Sequence, residues 1–286
     1  MRFLHCSDVH ITTRYRGVPL AELGWRRAIA LFELSVGGRA RHYQRAEATL
    51  AGIAGDLAGR RADHLILSGD VTAYAMEAEF AGARDALGPL ATDPRRCTVI
   101  PGNHDTYTPQ AVRTGLFEKY FGPLLVSDLP EYRAEGAFPF VRLLDGAAVV
   151  GLLSARVPPV PGLSYGRIGR AQLTALGRIV TDRRLDGRAV LVVVHHAPLN
   201  RHGRPDKPTH GLVDARALFR LLPGPRYAVL HGHIHKRYYH PPTGERPHVF
   251  GAGSSTCQGQ EGYWLIDVAD GRVQGGEQHV PLPQAA

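Results

Sequence analysis

Short apolar runs that end just before a polar motif recur along this chain. The clearest stand at residues 2–7, 64–68, 97–101, 190–194 and 227–230. Apolar runs of this length, bounded by glycine or polar residues, predict buried β-strands. Between them the apolar residues change to helical spacing, as Leu50, Ile53 and Leu57 do. Helices are therefore predicted at residues 46–59, 76–87, 110–121, 170–184 and 214–222.

Two dipeptides predict hairpins that interrupt this alternation. Asp145-Gly146 separates the strand-like segments 138–144 and 147–153, and Asp270-Gly271 separates 263–268 from 272–280. Asp-Gly between two apolar segments is a strong signal of a two-residue turn. Strands that alternate with helices, together with hairpins, predict an α/β fold of two mixed β-sheets packed together with helices outside. No linker or repeat interrupts the chain, so residues 1–286 are expected to form one domain closed by strands within 247–280.

The length and composition suit a cytoplasmic globular protein. At 286 residues and 44% hydrophobic content, the chain can bury a large core. No apolar run approaches the roughly 20 residues that cross a bilayer, and a cleaved signal peptide would remove the polar motif that begins at Asp8. Three cysteines without CxxC spacing, Cys6, Cys97 and Cys257, argue against disulfides and a thiolate zinc site. They are expected to be small core residues.

The charge of the chain leaves its partner open. Thirty-four Lys and Arg against 26 Asp and Glu leave a formal charge of +8, which suits an anionic substrate, an anionic membrane surface or nucleic acid. Nearly all of the excess is arginine, and a GC-rich genome would produce the same bias. Charge alone therefore does not identify a partner.

The polar motifs after the apolar runs carry metal-binding chemistry. They are Asp8-Val9-His10, Gly69-Asp70, Gly102-Asn103-His104-Asp105, His195-His196 and Gly232-His233-Ile234-His235. We expect all five to meet at one sheet edge, where open α/β sheets place their ligands. In extended backbone, residues two apart point the same way, so each Asp-x-His or His-x-His pair can hold one ion. Imidazole with carboxylate suits Mn, Fe or Zn better than Mg or Ca, and the Asp70 carboxylate is the natural bridge between two ions.

The ordered set of motifs resembles the calcineurin-like, binuclear metallophosphoesterase superfamily. The resemblance covers residues 8–235, and residues 251–255 with the terminal hairpin also look like the closing strands of that family. It implies a four-layer α/β/β/α sandwich and two metal ions, with Mn favoured over Fe or Zn. One ion would be bound by Asp8, His10, Asp70 and His235, and the other by Asp70, Asn103, His195 and His233.

The resemblance also implies a mechanism. A hydroxide that bridges the two metals attacks phosphorus in line, without a covalent enzyme intermediate. His104 is expected to protonate the leaving alkoxide, with Asp105 orienting its imidazole. His196 either touches substrate or supports the fold, and His231 is expected to support the ligands. The remaining histidines are expected to be hydrogen-bonded or solvent-facing: His5, His42, His64, His240, His248 and His279.

The substrate is expected to be a small anionic molecule with a phosphodiester or pyrophosphate bond. The chain looks most like the small bacterial phosphodiesterase and pyrophosphohydrolase group. The alternatives are a UDP-2,3-diacylglucosamine pyrophosphohydrolase of lipid A synthesis and a 3',5'-cyclic nucleotide phosphodiesterase. A non-enzymatic alternative is a pseudoenzyme that binds membrane or nucleic acid, although every ligand position is filled. We expect no nucleic acid partner, because the chain has no room for a recognition domain.

Two variable regions are candidates for substrate selection. Residues 23–45 place Trp25, Ile29, Phe32 and Val36 at helical spacing among arginines. This pattern predicts a helical insertion near the site that binds an acyl chain or the inner membrane face, or else an ordinary amphipathic helix packed on the sheet. The second region, residues 199–212, offers several cationic side chains to substrate phosphate: Arg201, His202, Arg204, Lys207 and His210.

Overall fold

The computed structural model describes residues 1–13, 39–157 and 163–281. Most of the predicted helical insertion, including Trp25 and Phe32, lies outside these residues. Its helix and its contact with substrate or membrane stay predictions. In the part of the chain that the structure describes, no helix is long and apolar enough to span a bilayer.

The first β-sheet has five strands in the order β11-β10-β1-β2-β3. The strands are β1 (Arg2–Cys6), β2 (His64–Leu67), β3 (Cys97–Val99), β10 (Tyr263–Ala269) and β11 (Arg272–His279). Strands β1, β2 and β3 run parallel, whereas β10 is antiparallel to both of its neighbours. The sheet is therefore mixed, and the carboxyl ends of β1, β2 and β3 lie at one edge.

The second β-sheet has six strands in the order β4-β5-β6-β7-β9-β8. The strands are β4 (Phe140–Leu144), β5 (Ala147–Gly151), β6 (Ala189–Val193), β7 (Tyr227–His231), β8 (Arg237–His240) and β9 (His248–Ala252). Strands β5, β6, β7 and β9 are parallel, and an antiparallel strand pairs at each end. Both Asp-Gly dipeptides join the strand pairs that the sequence predicts.

Helices cover the outer faces of both sheets. The α-helices are Arg39–His42, Ala46–Gly59, Glu77–Leu87, Pro109–Arg113, Leu116–Phe121, Arg170–Ile179 and Ala215–Arg220. The helix Ala46–Gly59 has the predicted bounds. The predicted helix 110–121 is two helices, because Gly115 between them has left-handed backbone with φ of 59°. The predicted helix 170–184 ends at Ile179, and strand β8 was not predicted.

Side chains alternate across the second sheet between two apolar layers. Leu191 and Val193 of β6 join the core between the sheets, together with Phe3 and Leu65 of the first sheet. Val190 and Val192 pack instead in the layer under the helices Arg170–Ile179 and Ala215–Arg220. This period of two is the strand geometry that the apolar runs predict. The result is the two mixed sheets flanked by helices that the sequence implies.

Candidate metal centre

The polar motifs gather where strands of both sheets end. Three motifs follow β1, β2 and β3 of the first sheet, and the other two follow β6 and β7 of the second. The expectation of a single sheet edge is therefore wrong, because the site lies between the ends of two packed sheets. Hydrogen bonds connect the sheets here, since His195 Nδ1 donates to Ser68 O at 2.9 Å.

The first donor set draws on three strand ends. Asp8, His10, Asp70 and His235 each offer one donor atom, and these atoms lie within 4.8 Å of one another. The Nε2 atoms of His10 and His235 are 3.0 Å apart, and Asp8 Oδ1 lies 3.2 Å from the His235 nitrogen. The backbone N–H of His233 donates to both Asp8 oxygens, which fixes the carboxylate.

The second donor set shares Asp70 and adds Asn103, His195 and His233. Asn103 Oδ1 lies 3.0 Å from His195 Nε2 and 3.0 Å from His233 Nδ1. His195 Nε2 also lies 3.3 Å from Asp70 Oδ2. The fold thus brings the seven residues predicted as ligands together in the two groups that the resemblance implies. Their binding of metal stays a prediction.

One carboxylate oxygen of Asp70, Oδ2, faces both donor sets. Its Oδ2 lies 3.3 Å from His195 Nε2 and 3.9 Å from His10 Nε2, while its Oδ1 accepts the backbone N–H of His104 at 2.8 Å. Burial would raise the pKa of the Asp70 carboxyl, but the imidazoles of His195, His104 and His10 hold it well below its ordinary value. An ionised carboxylate that faces both sets suits a bridge between two cations.

The paired ligands lie in loops with left-handed backbone, so the predicted extended geometry of these pairs is wrong. The φ angles are 52° at Asp8, 51° at His10, 52° at Asp70, 74° at His233 and 55° at His235. Non-glycine residues adopt this region at a cost of roughly 1–2 kcal/mol each. These five are the majority of the eight non-glycine residues with positive φ in the described chain. Strain concentrated at one site indicates a functional constraint on its geometry.

The separations between donor atoms fit ligands of a common metal ion. Imidazole nitrogen and carboxylate oxygen bind Zn at about 2.0–2.2 Å, so two ligands at right angles are about 3 Å apart and two at the tetrahedral angle about 3.4 Å. The separations are 3.0 Å for His10 and His235, 3.0 Å for Asn103 and His195, and 3.3 Å for His195 and Asp70. His10 Nε2 lies 3.9 Å from both Asp8 Oδ1 and Asp70 Oδ2, a separation that requires a wider angle between the ligands. The residues present therefore fit two ions of the Mn, Fe or Zn type.

Hydrogen bonds on the outer side of two rings determine which nitrogen faces the site. His195 donates from Nδ1 to Ser68 O, and His233 donates from Nε2 to His210 O at 2.9 Å. His195 Nε2 and His233 Nδ1 therefore face the donor set. Burial would lower the pKa of His195, but the Asp70 carboxylate beside it raises that pKa to about 9. Burial lowers the pKa of His233 well below its ordinary value, which keeps that imidazole neutral.

Two motif positions, Gly102 and Gly232, must be glycine because an aspartate carboxylate lies too close to each for a side chain to fit. A Cβ atom on Gly102 would lie 2.2 Å from Asp70 Oδ1, and one on Gly232 would lie 2.2 Å from Asp8 Oδ2. Side-chain carbons do not approach other atoms so closely, so a larger residue would displace either carboxylate. The glycines that precede Asn103 and His233 thus make room for the two aspartates.

Three buried hydroxyls, which the sequence reasoning did not identify, hold the Asp8–His10 loop. We call Ser254, Ser255 and Thr256 the hydroxyl clamp. The contacts are Ser255 Oγ with the N–H of Ser7 at 3.0 Å, Ser254 Oγ with Asp8 O at 2.7 Å, and Thr256 Oγ1 with Val9 O at 2.5 Å. For Ser254 and Ser255 the signal in the sequence is the likeness of residues 251–255 to the closing strands of the family, whereas Thr256 lies outside that stretch.

His104 lies beside the first donor set. Its ring centroid is 4.8 Å from that of His10, and its Nδ1 lies 2.6 Å from Ala73 O. Because Nδ1 donates to that carbonyl, proton transfer by His104 would use Nε2. The position suits the predicted general acid, a role that stays a prediction.

Asp105 does not orient His104, so that expectation is wrong. Its carboxylate accepts the backbone N–H groups of Val71, Thr72 and Gly102 and also the Thr72 hydroxyl. Burial and the nearby Asp70 charge raise the pKa of Asp105 to about 6. Its role is to tie the loop after Asp70 to the loop that carries Asn103, while Ala73 O orients the His104 imidazole.

His196 and His231 are buried next to the donor sets. The ring centroid of His196 lies 4.6 Å from that of His233, and its Nδ1 lies 2.9 Å from Ser154 Oγ. His231 Nδ1 donates to Gly232 O at 2.9 Å. Full burial favours structural support over substrate contact for both rings.

The other histidines follow the expectation from the sequence except His279, whose buried Nε2 has no hydrogen-bond partner among the described residues. His5, His64, His240 and His248 make hydrogen bonds to Ser68, Thr98, Asn200 and Tyr239, whereas His42 is exposed and His279 lies beside Glu277.

Of the five cationic residues predicted in the second variable region, 199–212, His210 lies at the metal centre. Its ring centroid lies 4.2 Å from that of His233, and its Nδ1 lies 2.6 Å from Asp206 Oδ2. Arg201, His202, Arg204 and Lys207 are exposed.

Comparison with known proteins decides the family. The family model described as calcineurin-like phosphoesterase matches residues 1–237, which is most of the chain. The chain belongs to the calcineurin-like phosphoesterase family. It is therefore a metallophosphoesterase, and its donor sets are a candidate dimetal site. No curated protein matches the sequence.

Solved structures of low sequence identity share the fold of this phosphoesterase. A dimetal phosphatase from Danio rerio is 15% identical with a TM-score of 0.64, and the match covers 99% of both chains. The Thermus thermophilus protein TT1561 is 13% identical with a TM-score of 0.54, over 98% of this chain and 99% of that one. A purple acid phosphatase from Lupinus luteus seeds is 13% identical with a TM-score of 0.54, over 97% of this chain and 53% of its own.

Proposed function

We propose that this phosphoesterase is a two-metal hydrolase of a phosphodiester or pyrophosphate bond in a small anionic substrate. The observation that carries the proposal is Asp70 Oδ2, which faces His10 Nε2 at 3.9 Å on one side and His195 Nε2 at 3.3 Å on the other. Two donor sets that share one ionised carboxylate suit two ions that act on a single phosphoryl group.

Different residues of the chain would bind the two metals and protonate the leaving group around that phosphoryl group. When bound, the two cations neutralise phosphoryl charge and supply an activated water at neutral pH. Asp8, His10, Asp70 and His235 would hold one ion, and Asp70, Asn103, His195 and His233 the other. His104 donates a proton from Nε2 to the leaving oxygen, while its Nδ1–H remains on Ala73 O. We favour Mn for both positions and a cytoplasmic location.

The test combines metal content with substrate preference. Purified protein is expected to bind two Mn ions per chain and to hydrolyse bis(p-nitrophenyl) phosphate faster than p-nitrophenyl phosphate. The variant Asn103→Ala tests the second donor set. It removes an amide from that set and should lower both metal content and turnover. Protein that binds no metal and leaves the diester intact would instead support the pseudoenzyme alternative. Faster hydrolysis of the monoester would contradict diester preference alone.

Side-by-side assays separate the substrate classes. UDP-diacylglucosamine, cyclic AMP and glycerophosphodiesters are compared at equal concentration, because a lipid-linked substrate needs an apolar surface that a cyclic nucleotide does not. Trp25→Ser with Phe32→Ser should impair the lipid substrate and liposome binding while leaving bis(p-nitrophenyl) phosphate turnover nearly intact. Cyclic AMP turnover without lipid-substrate activity would exclude the lipid alternative.

A further inference from the structure

A surface groove with a largely apolar lining lies between the segment that joins β6 to β7 and the segment that joins β8 to β9. It has a volume of about 650 Å³, and its apolar lining includes Leu199, Phe219 and Pro223. The size lies within the range of small-molecule sites in proteins. Its lining includes none of the residues of the two donor sets.

Three cationic side chains line this groove. Arg216 and Arg220 stand four residues apart on the helix Ala215–Arg220, so they share one face, and Arg246 comes from the segment before β9. Within the described residues, none of these guanidinium groups has an ion pair or a side-chain hydrogen bond. Glu245 adds one negative charge, which leaves the lining with a formal charge of +2, three positive minus one negative. An apolar lining with uncompensated cations suits a ligand that is anionic at one end and apolar at the other.

The groove shares a loop with the metal centre. Leu199 O accepts the hydroxyl of Tyr238 at 2.5 Å, and Ala197 O accepts the N–H of Leu212 at 3.1 Å, which closes the loop 197–212 on itself. At the other end of that loop, His210 O accepts the hydrogen bond of His233 Nε2 at 2.9 Å. A ligand that contacts Leu199 therefore contacts the same loop that orients a predicted metal ligand.

We propose that this groove binds a small organic anion with an apolar body, and that the bound anion changes metal affinity through the loop 197–212. The proposal concerns a site separate from the one that hydrolyses substrate. Coupling of this kind is reciprocal, so metal binding changes affinity for the anion by the same factor.

Binding is tested on the metal-free full chain with 8-anilinonaphthalene-1-sulfonate as a fluorescent probe and octane-1-sulfonate as its competitor. Arg216→Gln with Arg220→Gln should weaken probe binding about fivefold or more, because two exposed charge contacts are lost. The matched control is Arg113→Gln with Arg272→Gln, which removes the same charge from exposed positions outside the groove and should leave binding unchanged. Equal weakening in both double variants, or in neither, overturns the site.

Two further measurements test the apolar body and the coupling. Inorganic sulfate should fail to displace the probe at concentrations where octane-1-sulfonate displaces it. Equal displacement would show that the groove recognises only the charge and not the apolar body of the ligand. Octane-1-sulfonate should shift the Mn affinity of the wild-type protein, measured by calorimetric titration, and the shift should vanish in the Arg216 and Arg220 double variant. An unshifted Mn affinity in the wild type overturns the coupling, whereas the proposed hydrolysis is tested separately by the diester assay.

Discussion

Removing the hydroxyl clamp should weaken the first metal position while leaving the second nearly unchanged. The perturbation is Ser254→Ala, Ser255→Ala and Thr256→Val together. It deletes three hydrogen bonds to consecutive backbone groups of residues 7–9, all of them buried. Asp8 and His10 hold left-handed backbone in that loop, and without the clamp the backbone hydrogen bonds from Asp8 N to Gly69 O and from His10 N to Asp70 O remain to offset their strain.

The size of the effect follows from the contacts. A typical hydrogen bond contributes about 1 kcal/mol net, so three contribute about 3 kcal/mol. Two left-handed residues cost roughly 2–4 kcal/mol, which is comparable, so the loop should relax when the clamp is lost. Metal binding must then restore the strained loop. A loss of about 3 kcal/mol corresponds to roughly 100-fold weaker affinity at the first position.

The assay is calorimetric titration of metal-free protein with Mn, which should resolve two binding events. Thr98→Val is the matched control, because it also removes a buried hydroxyl, one that contacts His64 in the first sheet. Urea unfolding of each variant shows that the protein titrated is folded. Wild-type affinity at both positions in the triple variant would refute the strain argument. Equal weakening at both positions would show that the clamp does not act specifically on the first donor set.

Three further predictions test residues of the site and the core. Asp70→Ala should empty both metal positions, whereas Asn103→Ala should lower the occupancy of mainly one. Equal metal content and equal residual activity in the two variants would contradict the assignment of Asp70 as the bridging ligand. His104→Ala should slow turnover by roughly 10² to 10⁴ on diesters with poor alkoxide leaving groups and by less with p-nitrophenolate, while a uniform loss would make His104 a stabiliser of phosphoryl oxygens. Burial lowers the pKa of His64 from its ordinary 6.5 to about 4, so the unfolded chain binds more protons in that window. The free energy of unfolding should therefore fall by up to about 3 kcal/mol as the pH drops from 6.5 to 4, relative to His64→Gln in urea titrations at both pH values.

Local patterns in the sequence determined much of this protein. The apolar runs place β1, β2, β3, β6 and β7 within a few residues of their observed bounds, because strand periodicity is a local property. The order of the polar motifs after those strands was enough to predict the family. The resemblance to that family also implied the grouping of Asp8, His10 and His235 apart from Asn103, His195 and His233, with Asp70 shared, and the fold places these side chains in those groups.

Contacts between distant parts of the chain decided the rest. The backbone of Asp8 is held by Ser254, 246 residues away, so no local pattern reveals its left-handed conformation. Asp105 follows His104 directly, yet its hydrogen bonds go to Val71 and Thr72, because the parallel strands β2 and β3 bring those loops together. A sequence motif specifies which donors are present. Only the packing of two sheets decides which backbone groups hold them and where their side chains point.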